Sequence, residues 1–428
     1  MPPCANQAAG KERPLRGETA CRYNRGMNTL CFVIDRLHVG YLGAYGNTWT
    51  HTPTFDRLAA EGFTFDGAFL ESPELTHLYE AYWLGRHAMG PPVADPSRNL
   101  PSLLSQRSVS TRLLTDDPTV ARHRLASSFG QIVELHLPEP DSPAPTVEDT
   151  LFGQCFAQAL EMLDSVREPS LLWCHFGALG RAWDAPRELR TMHWEAGDPE
   201  PPETVTVPSR MLPRDYDPDE LLGCLQVYAA QVAVLDTCLG VVLDWLQSSP
   251  VGRDTVLAVV SARGFPLGEH LAVGPCCDAL YPELVHVPMF LRFPDGLGAS
   301  DRSPRLVQPS DFAPSLAECF GVSLEVPGVP TSLLPILRGE NAGGHELAGV
   351  LGFESERTMV TPAWYLRQTS RPELFLRPDD RWAANDVADR CHEVVEAMEE
   401  TLSQYEQTVC CGQTPCLSAQ NPLIMRSE

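Results

Sequence analysis

The sequence predicts an α/β fold, on three observations near its beginning. An apolar run, Leu30 to Ile34, ends abruptly in charge at Asp35 and Arg36, as a buried parallel strand does where its carboxyl end emerges. A short amphipathic helix follows and stops at Gly62. A second β-rich run, Phe63 to Phe69, completes a strand, helix and strand unit. Because α/β folds place their chemistry at the carboxyl ends of strands, Asp35 and Arg36 become candidate site residues.

Length and composition favour one large globular domain with a small appendage. The chain has 428 residues, of which 43% are hydrophobic and 21% charged, so it can bury a sizeable core. Its formal net charge of −24 repels nucleic acid, anionic membranes and polysulfated polymers at long range. We therefore expect no nucleic-acid or membrane partner, although a local basic pocket can still hold one small anion.

The N-terminal segment and the cysteines indicate the cellular compartment. Residues 1–26 lack the apolar centre of a signal peptide and are predicted to be a disordered extension, with Met27 as an alternative start. No apolar stretch of about 20 residues predicts a membrane span. The 14 cysteines mostly lie in apolar runs and are expected to be reduced thiols. The sequence thus favours a cytoplasmic protein.

Four motifs in the opening stretch occur in a specific order: VIDR, LGAYG, TPTFDRLAAEGFTF and LGR. In order and spacing they resemble the opening of the sulfatases, a family of the alkaline phosphatase superfamily. The resemblance implies a sandwich with a mixed, largely parallel central sheet between helices, plus a small C-terminal α+β subdomain. It also implies a formylglycine nucleophile made from cysteine and a calcium cofactor.

The nucleophile position departs from the family pattern. Counting back from Arg86 at the family's usual interval places it at Leu75, followed by Thr76. The cysteine that sulfatases oxidise to formylglycine is therefore missing. Lysines that the family places on the sulfate are missing too, because the last lysine in this chain is Lys11. The chain is predicted to be a degenerate member without a confident catalytic residue.

The metal positions have changed as well. After a later strand the family reads Ser or Thr, then Asp, His or Asn, and Gly, whereas this chain reads SARG before LGEH. By resemblance the four calcium positions are Asp35, Arg36, Ala262 and Arg263, so one carboxylate remains. A hard divalent cation needs about six oxygen ligands, and the sequence therefore predicts no calcium and no other cofactor.

Two guanidinium groups now stand where the family places a cation. An arginine beside Asp35 can neutralise it through a charge-assisted, bidentate hydrogen bond and keep the crevice positive. We predict that Arg36 and Arg263 replace the cation electrostatically, in an anion pocket with Asp35, His270 and Arg86. The competing interpretation is that both arginines are solvent-facing loop residues of a decayed site.

The resemblance extends to about residue 400 and predicts the domain organisation. Residues 27–340 form the main α/β domain, 341–405 a small C-terminal subdomain that ends in a helix from Glu393 to Tyr405, and 406–428 a tail. Residues 187–217 are rich in Pro and Glu and are predicted to be a surface insertion. The segment from Asp217 to Gln247 is a long helical pattern that implies core packing.

Three functions remain open. The first is a sulfatase-like pseudoenzyme that binds a small sulfate- or phosphate-like anion, or a protein partner of unknown identity, in the remnant crevice. The second is a hydrolase of sulfate or phosphate esters with an altered, metal-free site, for which Thr76 is the alternative nucleophile. The third is a structural or interaction protein without a ligand pocket.

Overall fold

A computed structural model describes residues 27–93, 95–166, 169–324, 328, 330–413 and 422–425. The predicted N-terminal extension, residues 1–26, lies outside this range, as does most of the predicted tail beyond residue 413. The strands of the described part are β1 Asn28–Asp35, β2 Phe63–Ala68, β3 Ser110–Thr115, β4 Gln131–Glu134, β5 Ser170–Phe176, β6 Arg210–Met211, β7 Thr255–Arg263, β8 Ala272–Val273, β9 Met289–Arg292, β10 Arg302–Val307, β11 Ala348–Leu351, β12 Arg357–Val360, β13 Trp364–Gln368 and β14 Glu373–Leu376.

The helices pack around these strands, and some of them begin with a capping side chain. Thr150, for example, accepts a hydrogen bond from the Gly153 amide at the start of its helix. The α-helices of the described part are α1 Pro53–Glu61, α2 Leu75–Leu84, α3 Leu100–Ser105, α4 Pro118–Ala121, α5 Leu151–Asp164, α6 Ala178–Arg181, α7 Arg187–Arg190, α8 Pro218–Ser248, α9 Pro282–Val285, α10 Phe312–Cys319, α11 Leu334–Leu337, α12 His392–Cys410 and α13 Pro422–Met425.

The central sheet has eight strands in the order β10-β2-β9-β7-β1-β5-β3-β4. Strand β1 lies between β5 and β7 and is parallel to both, whereas β9 runs antiparallel to its neighbours β2 and β7. This confirms the predicted mixed, largely parallel sheet between helices. The carboxyl ends of β1, β3, β5 and β7 therefore meet at one edge, where Asp35 and Arg263 lie.

Both faces of the sheet are buried, which explains the continuous apolar run of β1. Leu30, Phe32 and Ile34 join the apolar side chains of α5 and α8 on one face, whereas Cys31 and Val33 join those of α2 on the other. Helix α8 is long and apolar enough to span a membrane by length and composition, but most of its apolar window is buried inside this fold.

A second sheet follows in the C-terminal part of the chain, with antiparallel order β11-β12-β13-β14. Helix α12 packs its apolar stripe, including Met398 and Leu402, on this sheet. The helix continues past the predicted end at Tyr405 to Cys410, because Val409 extends the buried stripe by one turn. Beyond it, Ile424 of α13 is also buried, and its carbonyl accepts a hydrogen bond from the Thr361 hydroxyl.

Candidate functional site

The candidate site is centred on an ion pair between β1 and β7. Their parallel register sets Asp35 next to Arg263. The Arg263 Nε lies 2.9 Å from Asp35 Oδ1, and its Nη2 lies 2.5 Å from Asp35 Oδ2. Burial by itself would raise the pKa of Asp35, but the charge and hydrogen bonds of Arg263 hold that pKa well below its usual value. Asp35 is therefore a fixed, neutralised carboxylate.

The second arginine, Arg36, lies beside this pair in a constrained backbone turn. Its φ of 67° is in the left-handed region, which a residue with a long side chain rarely adopts. Tyr228 holds the turn, since its hydroxyl donates to the Arg36 carbonyl at 2.7 Å and accepts from the His38 amide at 2.8 Å. A turn anchored in this way, without a flexible glycine, directs the Arg36 side chain into the protein.

The Arg36 guanidinium is buried but incompletely paired. The residue is 7% exposed, and its Nη1 has no hydrogen-bond partner among the described residues. Burial and the nearby charge of Arg263 lower the pKa of Arg36. The side chain passes close to Gly180, where an added Cβ would lie 3.3 Å from Arg36 Cγ. The missing side chain of Gly180 therefore leaves room for the arginine stem.

The nucleophile position belongs to the packed core. Leu75 is the first residue of α2 and is 8% exposed, and Tyr79, one turn later, is fully buried. The Tyr79 hydroxyl lies 2.6 Å from His175 Nδ1. The other ring nitrogen, Nε2, has no hydrogen-bond partner among the described residues and lies 3.9 Å from Asp117 Oδ2. Burial lowers the pKa of His175, which keeps the imidazole neutral at physiological pH.

These residues do not fit a calcium ion. Ala262 contributes no side-chain oxygen, and Arg263 occupies both oxygens of Asp35. Within the described ranges, no group of three or more His, Cys, Asp or Glu side chains is arranged to hold a metal. A calcium site requires about six oxygen ligands at short range, and the guanidinium of Arg263 fills the space beside the one carboxylate that remains.

Two predicted pocket residues have their polar partners elsewhere. Arg86 follows α2, where it donates to Glu80 and to the carbonyls of Gly90 and Pro91. His270 Nδ1 lies 2.6 Å from Glu283 Oε1, and its Nε2 lies 2.9 Å from the Ala383 carbonyl. Neither side chain has a hydrogen bond or ion pair with Asp35, Arg36 or Arg263 in the described structure.

Thr76, the alternative nucleophile, is on the protein surface. It lines a cleft of about 430 Å³ together with Pro118, Thr119 and residues 122–124. His123, which also lines this cleft, contacts backbone with both ring nitrogens: Nε2 lies 3.3 Å from the Thr76 carbonyl, and Nδ1 accepts from the Leu125 amide. Burial lowers the pKa of His123. This imidazole is therefore not available as a general base for the Thr76 hydroxyl.

Comparison with known proteins identifies the lineage of this fold. A family model described as Sulfatase matches residues 27–322, which include β1, the Asp35 and Arg263 pair and the whole central sheet. The chain belongs to the sulfatase family. The family match covers the predicted scaffold.

Sulfatase relatives from Bacteroides thetaiotaomicron match at low identity. An N-acetylglucosamine-6-O-sulfatase is 25% identical over 245 residues, covering 52% of this chain and 41% of the relative. A Delta 4,5-hexuronate-2-O-sulfatase is 22% identical over 377 residues, covering 78% and 76%. In fold, the chain is similar to the phosphonate monoester hydrolase of Agrobacterium radiobacter, with a TM-score of 0.71 at 15% identity over 89% of this chain and 95% of that one.

The sequence motifs locate Asp35 and Arg263 but do not indicate which side chains surround them. Gly180 lies against the Arg36 side chain and Tyr228 holds the Arg36 turn, and both contacts join residues distant in sequence. His175 lies one residue before the end of β5, the strand adjacent to β1. That adjacency was the available signal, because side chains at the ends of neighbouring parallel strands share one edge of the sheet.

Proposed function

We propose that this sulfatase-family protein binds a small sulfate- or phosphate-like anion at Arg36 and does not hydrolyse esters by formylglycine and calcium chemistry. The observation that carries the proposal is the bidentate pairing of Arg263 with Asp35 beside a buried Arg36 guanidinium whose Nη1 has no hydrogen-bond partner among the described residues. A buried donor without an acceptor is costly, and an oxyanion supplies that acceptor.

Charge and space define the ligand. Arg263 and Asp35 neutralise each other, which leaves the Arg36 charge for a ligand. Burial opposes the charged form of Arg263, but Asp35, Asp117 and Asp278 together raise its pKa, so negative charge also surrounds this centre. An anion binds here only if it is compact enough to contact the Arg36 guanidinium directly, because that attraction must exceed the repulsion from these carboxylates.

Thermal denaturation with added sulfate, phosphate and p-nitrophenyl sulfate tests this proposal, because a ligand that binds the native state raises the melting temperature without turnover. We expect sulfate or phosphate to raise the melting temperature of the wild type more than that of Arg36→Gln. The control is Arg112→Gln, which removes another buried arginine, one whose Nε has no hydrogen-bond partner among the described residues. It should lower the basal melting temperature but keep the anion-dependent rise.

Three outcomes contradict the proposal. Equal anion-dependent shifts in the wild type and in Arg36→Gln would place the anion elsewhere. Release of p-nitrophenol above the buffer rate, abolished in Thr76→Ala, would favour the metal-free hydrolase instead. If no anion shifts the wild type, the protein-partner or structural interpretation takes its place.

A further inference from the structure

We propose that the surface cleft between α2 and the segment after α4 is a separate binding site for the oxyanion head of a small phosphate or sulfate monoester. The cleft measures about 430 Å³ and is lined by Thr76, Pro118, Thr119, Arg122, His123 and Arg124. Its volume falls within the range of about 300–1,000 Å³ that is usual for small-molecule sites. Its lining carries two guanidinium groups and two hydroxyls, which are the donors that an oxyanion requires.

Arg124 is held in place by a carboxylate that it shares. Glu80 Oε1 accepts from Arg124 Nε at 3.0 Å and from Nη2 at 2.6 Å, while Glu80 Oε2 accepts from Arg86. The single negative charge of Glu80 thus neutralises only one of the two positive charges of Arg86 and Arg124. Arg124 Nη1 donates to no described residue and remains for a ligand. A guanidinium fixed before binding loses little conformational entropy when a ligand arrives.

Arg122 supplies the second, more adaptable charge. Its side chain is 75% exposed, and its Nη2 lies 3.6 Å from Glu134 Oε1, beyond hydrogen-bonding distance. The same Glu134 oxygen lies 4.0 Å from His136 Nδ1. Because its lining residues include two arginines and no carboxylate, the cleft is a locally basic surface on a protein with a net charge of −24. An approaching ester can draw the Arg122 side chain away from Glu134 without leaving a buried charge unpaired.

The remaining lining residues fix the shape of the cleft. His123 Nε2 lies 3.3 Å from the Thr76 carbonyl and links the start of α2 to the segment after α4. The Thr119 amide donates to Asp117 Oδ1 at 2.6 Å, which holds the other wall. The hydroxyls of Thr76 and Thr119 are on exposed residues that line the cleft. The site therefore combines rigid walls with one mobile arginine.

Isothermal titration calorimetry on the full chain, with phenyl phosphate and phenyl sulfate in separate arms, tests the proposal. We expect millimolar or tighter binding of at least one ester, weakened by added NaCl. Arg122→Gln and Arg124→Gln should each weaken binding by about tenfold or more, the loss of a charge-assisted hydrogen bond. The matched control is Arg187→Gln, because Arg187 is similarly exposed, at 68%, and pairs with a glutamate.

This cleft and the Arg36 crevice are distinguishable by variant. Binding that survives Arg36→Gln and Arg187→Gln but is lost in Arg122→Gln supports the cleft. Absence of ester binding in the wild type, or affinities that do not change in Arg122→Gln, overturns it. Ester binding that is lost only in Arg36→Gln also overturns the cleft and leaves the proposed function standing. Tighter binding of phenyl phosphate or of phenyl sulfate identifies which oxyanion the cleft prefers.

Discussion

The guanidinium of Arg263 contacts both carboxylate oxygens of Asp35, with Nε to Oδ1 at 2.9 Å and Nη2 to Oδ2 at 2.5 Å. The two residues are register partners on adjacent parallel strands, so the backbone fixes their separation before the side chains interact. By resemblance to the family, both positions belong to metal ligands. In this protein they form an ion pair that needs no added ion to satisfy the carboxylate.

Removing one partner of this pair should be strongly destabilising. Asp35 is 4% exposed, so Arg263→Gln leaves a buried carboxylate without its counter-charge and should lower the free energy of unfolding by about 3–5 kcal/mol. Urea denaturation followed by circular dichroism measures the change. The double variant Asp35→Asn/Arg263→Gln should recover much of the loss, because it removes the uncompensated charge. A double variant no more stable than Arg263→Gln would show that the two side chains are not coupled.

Stability should fall as the pH rises above about 6.5, because of His345. Its Nε2 lies 2.8 Å from Asp311 Oδ2, and although burial opposes protonation, this carboxylate raises the pKa of His345. A raised native pKa stabilises the fold fully below the unfolded value of about 6.5, and that contribution is lost as the pH rises through the native pKa. The wild-type melting temperature should therefore drop above about pH 6.5, with a shallower slope in His345→Gln. Parallel pH profiles for the two proteins would exclude this coupling.

Stability should also fall at acidic pH, because of a different histidine, His286. Burial, followed by the nearby charge of Arg377, lowers the pKa of His286 to about 3. Its Nε2 lies 2.8 Å from the Asp66 carbonyl, and its ring stacks on Phe69. A depressed histidine pKa means that the unfolded chain binds the proton first, so stability is lost as the pH falls below about 6.5. Melting temperatures between pH 4 and 6.5 should decline less steeply in His286→Gln, and an equal decline would contradict the assignment.

A matched pair of tyrosines tests the core beneath the nucleophile position. Tyr79 and Tyr82 are both fully buried, but Tyr79 Oη lies 2.6 Å from His175 Nδ1, whereas Tyr82 Oη has no hydrogen-bond partner among the described residues. Tyr79→Phe leaves a buried ring nitrogen unpaired and should lower the free energy of unfolding by about 1–3 kcal/mol. Tyr82→Phe should be neutral or stabilising. Equal effects in urea denaturation would mean that the Tyr79 hydrogen bond contributes nothing.

The sequence predicted the scaffold well, for identifiable reasons. The buried run of β1 and the long pattern of α8 are local signals, and Asp217 accepts a hydrogen bond from the Asp219 amide at the start of α8. The positions of Asp35 and Arg263 followed from motif order. Their close pairing could be hypothesised because neighbouring parallel strands end at one edge, but its geometry required the observed register.

Other features depend on contacts between residues distant in sequence. Tyr79 and His175 are 96 positions apart, and neither carries a local signal for the other. The cleft at Thr76 forms only when α2 packs beside the segment after α4. Residues 187–217, predicted as an irregular insertion, contain the short elements α7 and β6, which depend on tertiary packing more than on propensity.

A calcium titration of metal-free wild-type protein by isothermal calorimetry tests the central claim most directly. If Arg263 has replaced the metal at Asp35, calcium should give no binding heat, and neither calcium nor a chelator should change the melting temperature. Stoichiometric calcium binding that is lost in Asp35→Asn would contradict the account. It would show that the carboxylate still serves a metal and that the Arg263 side chain moves aside to admit it.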